Sequence, residues 1–346
     1  METILDQFAY EIPTDLIAHA PATPRDSARL LVYDTKHDTV THARVSDLPQ
    51  FVAGAAIIVN DTKVLPARLQ GVYDGSPIEL LILVDQGINP DGAVRALVNR
   101  GVAVGETIEV FDTYFTVVDN REKSMVLKFE GKEELLHALL LAHGETPLPP
   151  YIKSSAEESL KRTDYQTVFA AAAPSVAAPT ASLHFTPELI ATLKANGVSI
   201  DPVTLQAGLG TFAPIFAENF QNKKLHEEYY VVPDTTAERI KRARDTGRPI
   251  MAVGTTVVRT LESSKESVAA GQGTVGAADL FIYPPYAFTY PDILMTNFHV
   301  PRSSLMCLVQ AYIEHKGGRR HIVELYEEAI REHYRFYSFG DAMLIL

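Results

Sequence analysis

The sequence predicts an α/β main domain built from both chain ends, residues 1–64 and 148–346, with an antiparallel β-barrel domain inserted at 65–147. Three observations predict it. Continuous apolar runs such as Ala55-Ala56-Ile57-Ile58-Val59 read as strands buried on both faces, and in the second half such runs alternate with helical spacing. Between residues 65 and 147 the texture changes to short apolar runs separated by Gly, Asn or Asp, the rhythm of a small barrel or sandwich. The proline run Pro147-Leu148-Pro149-Pro150-Tyr151-Ile152-Lys153 then reads as a strut returning to the main domain.

At 346 residues the chain exceeds the usual single core, which agrees with two domains. No apolar run approaches ~18 residues, so no membrane span is expected. The first residues lack the basic and apolar blocks of a signal peptide. The one cysteine, Cys307, lies in an apolar run and reads as a core side chain; a reducing cytoplasm fits. A net charge of −12 argues against nonspecific nucleic-acid binding. It leaves room for a specific RNA site, because fields are screened within ~8–10 Å.

In order, residues 8–34 predict a short helix and a strand, with Arg25 and Arg29 beside Asp26 reading as an ion pair or an anion clamp. The strand at 55–59 ends on Asn60-Asp61-Thr62-Lys63-Val64-Leu65-Pro66-Ala67-Arg68, a polar cluster where open α/β sheets place ligands. Asp61 suits a ribose hydroxyl, and Lys63 and Arg68 are cationic. The runs at 78–83, 94–98, 107–111, 115–118 and 125–129 are the barrel strands, and a helix from Lys132 to His143 closes the segment.

Then comes Pro179-Thr180-Ala181-Ser182-Leu183-His184-Phe185-Thr186-Pro187. Thr186 is a helix N-cap, Pro187 suits the first turn, and Gly197 stops the helix. A small-residue turn before a helix presents backbone N–H groups, Thr180 and the imidazole of His184 to a polar ligand. A strand at 203–207 leads to Gly208-Leu209-Gly210-Thr211-Phe212, and His226 and Glu228 follow. Thr235-Thr236-Ala237-Glu238 matches a capping box for a helix at 235–246. The strand Pro249–Val253 enters Gly254-Thr255-Thr256-Val257-Val258-Arg259, a glycine turn and hydroxyl pair at a helix start, which suits an anion or a carboxylate. It lacks the lysine and length of a P-loop. Residues 279–283 read as a strand, Asn297 and His299 close another, Ser303 caps a helix from Ser304 to Glu314, and a last helix carries Ile322, Leu325, Tyr326, Ala329 and Ile330 on one face.

His184, His226 and His299 sit on separate elements without a close ligand pair, so no metal is expected. No Gly-x-Ser-x-Gly elbow or Rossmann turn is present. What remains is a series of strand-end clusters mixing hydroxyls, imidazoles, carboxylates and cations, as a site for a charged small molecule requires.

The segments Asn60–Leu69, Tyr165–Ala170, Val176–Phe185, Gly208–Phe212, Gly254–Ser263, Thr296–His299 and Tyr334–Ile345 closely resemble the S-adenosylmethionine:tRNA ribosyltransferase-isomerase family of queuosine biosynthesis. Phe8–Val32 and the strut Pro147–Lys153 fit as well. The resemblance implies the same two-part fold. It implies transfer of the ribosyl part of S-adenosylmethionine to the aminomethyl group of a 7-deazaguanine at the tRNA wobble position. The product is epoxyqueuosine-tRNA, formed with ribose isomerisation and release of adenine and methionine. It implies a cytoplasmic monomer needing no metal or redox cofactor, with tRNA and S-adenosylmethionine as partners.

That chemistry asks for a base near the 5′ carbon that the sulfonium acidifies, a donor to departing adenine, and partners for the methionine carboxylate and ammonium. His226 or His299 is cast as base or acid, and Glu228 as partner to imidazole or ammonium. Thr255, Thr256 and Arg259 hold the carboxylate, Asp61 and Asn297 the ribose, and Thr180, His184, Thr211, Lys63 and Arg68 complete the binding set. Lys63, Arg68, Lys153, Arg302, Arg319, Arg320 and Arg335 are candidate phosphate contacts or solvated surface charges, the latter favoured for Arg319 and Arg320. Pro174, Ser182 and Pro285 stand where the family places glycine, Gln206 where it places histidine, Ala28 where it places serine, and Ala9 where aspartate is common. Proline cannot take φ > 0, so 174 and 285 must be ordinary backbone; Ser182 either adopts a left-handed conformation or narrows the pocket. Two other readings share these residues: a diverged relative acting on another acceptor, and a catalytically silent RNA-binding relative.

Overall fold

The computed structural model describes residues 4–84, 92–121, 124–131, 133–171, 173–208 and 215–346. Its main body is a nine-stranded mixed sheet in the order Thr274–Leu280, Lys224–Val232, Ser199–Leu205, Ala56–Asn60, Ile250–Val253, Ile293–Asn297, Ala342–Ile345, Arg29–Asp34, Thr39–Arg44. The four strands from Ser199–Leu205 to Ile293–Asn297 run parallel, so Leu205, Asn60, Val253 and Asn297 all end at one edge. Ala342–Ile345 returns antiparallel, and Arg29–Asp34 lies parallel to it. The first and last parts of the chain thus share one sheet.

The central runs are apolar because each feeds two cores. Ala56, Ile58, Ala252 and Leu294 pack on one face with the helices Thr255–Ser263 and Ser304–His315, while Ile57, Val59, Met251 and Met295 pack on the other with Pro187–Ala195. Alternation with period two, buried on both sides, is what such strands require.

Between these halves lies a closed six-stranded antiparallel barrel in the order Ser124–Phe129, Ala93–Val98, Ser76–Ile82, Arg68–Tyr73, Thr107–Val110, Thr113–Arg121. It has its own core, with Leu69, Ile78, Leu80, Val94, Phe115 and Leu127 pointing inward, and the helix Glu133–His143 lies against it through Leu136 and Leu140. Lys132 lies outside the described residues.

The local start signals hold where a side chain reaches the backbone. Thr186 Oγ1 accepts from Leu189 N–H at 3.1 Å with Pro187 in the first turn, and Gly197 follows at φ +75°. Ser303 Oγ accepts from Met306 N–H at 3.4 Å. Thr186→Ala is expected to cost about 1 kcal/mol, read as a lowered denaturation midpoint.

Three expectations fail. The helix Asp234–Asp245 starts behind Pro233 without a side-chain cap. Thr236 Oγ1 donates instead to Pro202 O at 2.7 Å, and Asp234 accepts from Gly273 N–H. The strand expected at 279–283 is Thr274–Leu280, an edge strand of small residues where a side chain at Gly276 would collide with the Tyr230 hydroxyl. Arg25 and Arg29 do not pair with Asp26. Arg25 donates to the carbonyls of Thr163, Asp164 and Gln166 and closes the end of the helix Glu158–Asp164; Arg29 lies over the Tyr334 ring at 3.8 Å; Asp26 accepts from Thr186. Among the described residues no helix is long and apolar enough to cross a membrane.

Candidate active site

The parallel strands deliver their polar ends to one cleft. The strand Ile250–Val253 stops at Gly254, whose φ of +97° only glycine takes without strain, and the helix Thr255–Ser263 begins at once. No side chain caps this helix, and Thr256 Oγ1 is buried without a hydrogen-bond partner. An open helix N-terminus with a free hydroxyl is a site for a carboxylate. The next strand ends on Thr296 and Asn297, and His299 follows. The turn Thr180–His184 faces them, so Thr180, Thr255, Thr256, Asn297 and His299 line one cavity.

Small, aliphatic and aromatic residues make the remaining wall. Tyr151, Tyr165, Phe298 and Tyr337 line the cleft, with the rings of Tyr151 and Tyr337 4.8 Å apart. Tyr337 adopts φ +70°, an uncommon conformation for a buried aromatic residue. Its carbonyl accepts from Asn297 Nδ2 and from Gly340 N–H. A purine ring stacks on such a surface.

His299 Nε2 lies 2.8 Å from Thr296 Oγ1. Burial pushes the imidazole down to about 3, so it is neutral at physiological pH. A neutral imidazole offers a hydrogen bond without bringing a charge into the cleft.

A second cavity shares Thr255 and Thr256 with the first and adds His226 and Arg259. His226 is exposed, on the strand Lys224–Val232 where its pairing with the edge strand is irregular. Arg259 and Glu228, both read from sequence as ligand groups, are spent on each other. They form a buried ion pair; Arg259 Nη2 also donates to Ala278 O at 2.8 Å, and Gly208 N–H donates to Glu228 Oε1 at 3.2 Å. Arg259 is therefore an anchor in the cavity wall, not a free carboxylate clamp.

Other expectations also move. Asn297 accepts from Thr180 Oγ1 at 2.8 Å and donates to Tyr337, so its amide braces the wall rather than offering itself to ribose. His184 turns inward: its ring nitrogens lie 3.1 Å from Ala181 O and 2.9 Å from Gly340 O, and burial pushes its pKa down. It ties the turn to the C-terminal segment and presents nothing to a ligand. Asp61 accepts from Thr204 Oγ1 at 2.7 Å and is raised by desolvation; it sits at the same sheet edge but does not line the cleft.

Arg68 faces Glu79 at 3.8 Å and Leu148 O at 3.3 Å, and its backbone pairs with Glu145. It fastens the first barrel strand to the returning strut. Arg302 is paired with Asp6, Arg320 with Glu328 and Asp38, and Arg335 with Asp341. Arg319 and Arg320 lie beside Tyr33, at the far end of the sheet. Lys63 is exposed at the cleft's edge of the sheet; Lys153 is exposed on the strut. Thr211, with most of its glycine turn, lies outside the described residues.

Pro174, Ser182 and Pro285 all keep negative φ. Ser182 is wholly buried behind Ala181 with a partnerless hydroxyl, so it neither turns left-handed nor narrows the cleft. Gln206 Nε2 donates to Pro174 O at 3.0 Å, so two of the departures touch. Among the described residues no cluster of His, Cys, Asp or Glu is arranged to hold a metal.

Sequence reasoning missed the aromatic wall and the phenols behind His299. Tyr151 and Tyr337 lie in segments already singled out, but no local pattern says that the strut and the C-terminus meet.

An α/β sheet whose parallel strands end at an uncapped helix N-terminus and an aromatic cleft, with a barrel inserted in the chain, defines a small-molecule-binding protein of the enzyme type. The sequence model of the queuosine biosynthesis protein family matches residues 5–345, and the chain belongs to that family. Two relatives are named S-adenosylmethionine:tRNA ribosyltransferase-isomerase. The one from Thermotoga maritima is 42% identical over 350 residues, and the one from Moorella thermoacetica is 43% identical over 356; each alignment covers 99% of both chains. A crystal structure titled S-adenosylmethionine tRNA ribosyltransferase, from Thermotoga maritima, matches with a TM-score of 0.55 and 33% identity, covering 98% of this chain and 100% of that one.

Proposed function

We propose that the protein transfers and isomerises the ribosyl moiety of S-adenosylmethionine onto the aminomethyl group of a 7-deazaguanine at the tRNA wobble position, giving epoxyqueuosine-tRNA and releasing adenine and methionine. One observation carries this reading at the level of geometry: the open N-terminus of Thr255–Ser263, with the unpartnered Thr256 hydroxyl, faces an aromatic cleft. A carboxylate at one end and a flat base at the other is the outline of S-adenosylmethionine.

In this reading Thr255, Thr256 and the helix N-terminus hold the methionine carboxylate, and Tyr151, Tyr337 and Phe298 bracket adenine. The sulfonium acidifies the 5′ carbon. In this reading His226, exposed in the adjoining cavity, takes that proton. His299, held neutral, hydrogen-bonds the departing base or the ribose. Glu228 acts through Arg259, keeping the strand under His226 in register with the helix. Lys63 and Lys153 are the cations offered to RNA phosphates, and Asp61 is a ribose partner only if the nucleoside reaches past the cleft. The sulfonium supplies both acidity and leaving group, so the reading calls for no metal or redox cofactor. It assigns the work to a monomer in the cytoplasm.

The test is incubation with S-adenosylmethionine and tRNA carrying the aminomethyl deazaguanine. Adenine release together with a modified nucleoside is expected. Adenine without modified tRNA points to another acceptor, and tRNA binding without adenine points to a silent relative; either result sinks the proposal.

A further inference from the structure

His299 lies two residues beyond the end of the strand Ile293–Asn297, so the sheet ladder no longer sets its position. Two phenols from distant parts of the chain take over. Tyr326 accepts the His299 N–H at 3.0 Å, and Tyr10 donates to the His299 carbonyl at 2.5 Å. The peptide is held from both sides, and the imidazole is held in turn by Thr296.

The phenols are themselves immobilised. Tyr10 stands edge-on to Tyr326 with ring centroids 5.3 Å apart, and Tyr326 packs against Phe298 at 5.2 Å and Phe336 at 5.9 Å. Tyr326 is fully buried. Burial raises both hydroxyls far above neutrality, so Tyr10 remains a donor throughout the working range. Neither phenol lines the cleft.

We propose that Tyr10 and Tyr326 are positioning residues for His299, through which the N-terminal segment and the helix Ile322–Arg331 set the geometry of the site without touching substrate. This rests on His299 being a site group in the reaction proposed above. A misplacement of about 1 Å at a reacting centre costs about 10²-fold in rate, which is the scale such a clamp controls.

The experiment compares Tyr10→Phe and Tyr326→Phe with Tyr334→Phe. Tyr334 belongs to the same aromatic cluster, but its hydroxyl meets His42 rather than His299. Three quantities are read: kcat and KM for S-adenosylmethionine in tRNA-dependent adenine release, the His299 imidazole resonances in the free protein, and the thermal midpoint. Tyr10→Phe and Tyr326→Phe are expected to lower kcat by roughly 10- to 100-fold with KM nearly unchanged, and to move the His299 resonances. Tyr334→Phe is expected to move the thermal midpoint alone. Adding Tyr10→Phe to His299→Ala is expected to cost no further kcat, because the peptide is still held but the imidazole whose placement it sets is gone.

Unmoved His299 resonances in Tyr10→Phe overturn the proposal. So does an undiminished effect of Tyr10→Phe in the His299→Ala background. If Tyr326→Phe does not fold, Tyr10→Phe decides alone. If the native protein releases no adenine, the proposed reaction fails, and the imidazole resonances still decide whether the phenols position His299.

Discussion

Glu228→Ala is expected to destabilise the protein by about 3–5 kcal/mol, the cost of leaving one half of a buried ion pair without its partner. Glu228 is 2% exposed and Arg259 7%, so water cannot readily replace the lost carboxylate. The pair joins four pieces of chain: the strand Lys224–Val232, the edge strand through Ala278 O, the helix Thr255–Ser263, and Gly208. Arg259 Nε is already buried without a partner, which leaves the guanidinium no spare bonds to fall back on. The double variant Glu228→Ala, Arg259→Met removes the orphaned charge and is expected to recover more than half of the loss. With several hydrophobic cores in the chain, the guanidinium chloride midpoint is the quantity to compare. A loss below about 1 kcal/mol, or a double variant no better than the single, would show that the pair is solvated and holds nothing. Turnover should fall as well, because Thr255 and Thr256 begin the helix that Arg259 anchors.

That pairing marks where the sequence stops being readable. Thr255, Thr256 and His299 emerge from a local rule, that polar residues after a buried parallel strand gather at one edge of the sheet, and Thr180 from a small-residue turn before a helix. The strand Ala56–Asn60 and the caps at Thr186 and Ser303 are legible for similar reasons, each needing only its own neighbours. Glu228 and Arg259 are 31 residues apart and meet because the strand Lys224–Val232 turns Glu228 toward the helix that carries Arg259. Nothing within either segment separates a carboxylate aimed at a ligand from one aimed at an arginine. His184 shows the same limit. Its position before a helix suggests presentation to a ligand, yet a carbonyl 156 residues later pulls the ring inward. Edge strands fail in another way. Thr274–Leu280 carries small residues and pairs on one side only, so it lacks the large apolar run by which central strands declare themselves. The barrel is legible as a texture between the two halves, although its first strand, Arg68–Tyr73, carries no apolar run of its own.

His299→Ala is expected to lower kcat by about 10²- to 10³-fold, the range for removing one preorganised hydrogen-bond partner from an active site, with a smaller change in KM. The pH dependence separates this role from acid or base work at neutrality. With the folded imidazole pushed down to about 3 and the unfolded one near 6.5, His299 is neutral in both states above pH 7 and contributes no slope there. Between about 6.5 and 3 the unfolded chain takes up a proton that the folded chain refuses, so stability falls as pH falls through that window. The lowered imidazole of His184 acts with the same sign. At about 1.4 kcal/mol per pH unit, discounted for local opening that lets the ring reach water, His299 alone withdraws on the order of 3 kcal/mol. His299→Gln, which keeps a neutral hydrogen-bonding group, is expected to flatten that acid limb while retaining more turnover than His299→Ala. A titration of the His299 ring resonances in the native protein with a midpoint near 6.5 would defeat this account. The imidazole would then carry charge at working pH, and a cationic site beside a sulfonium could not be the one that binds it.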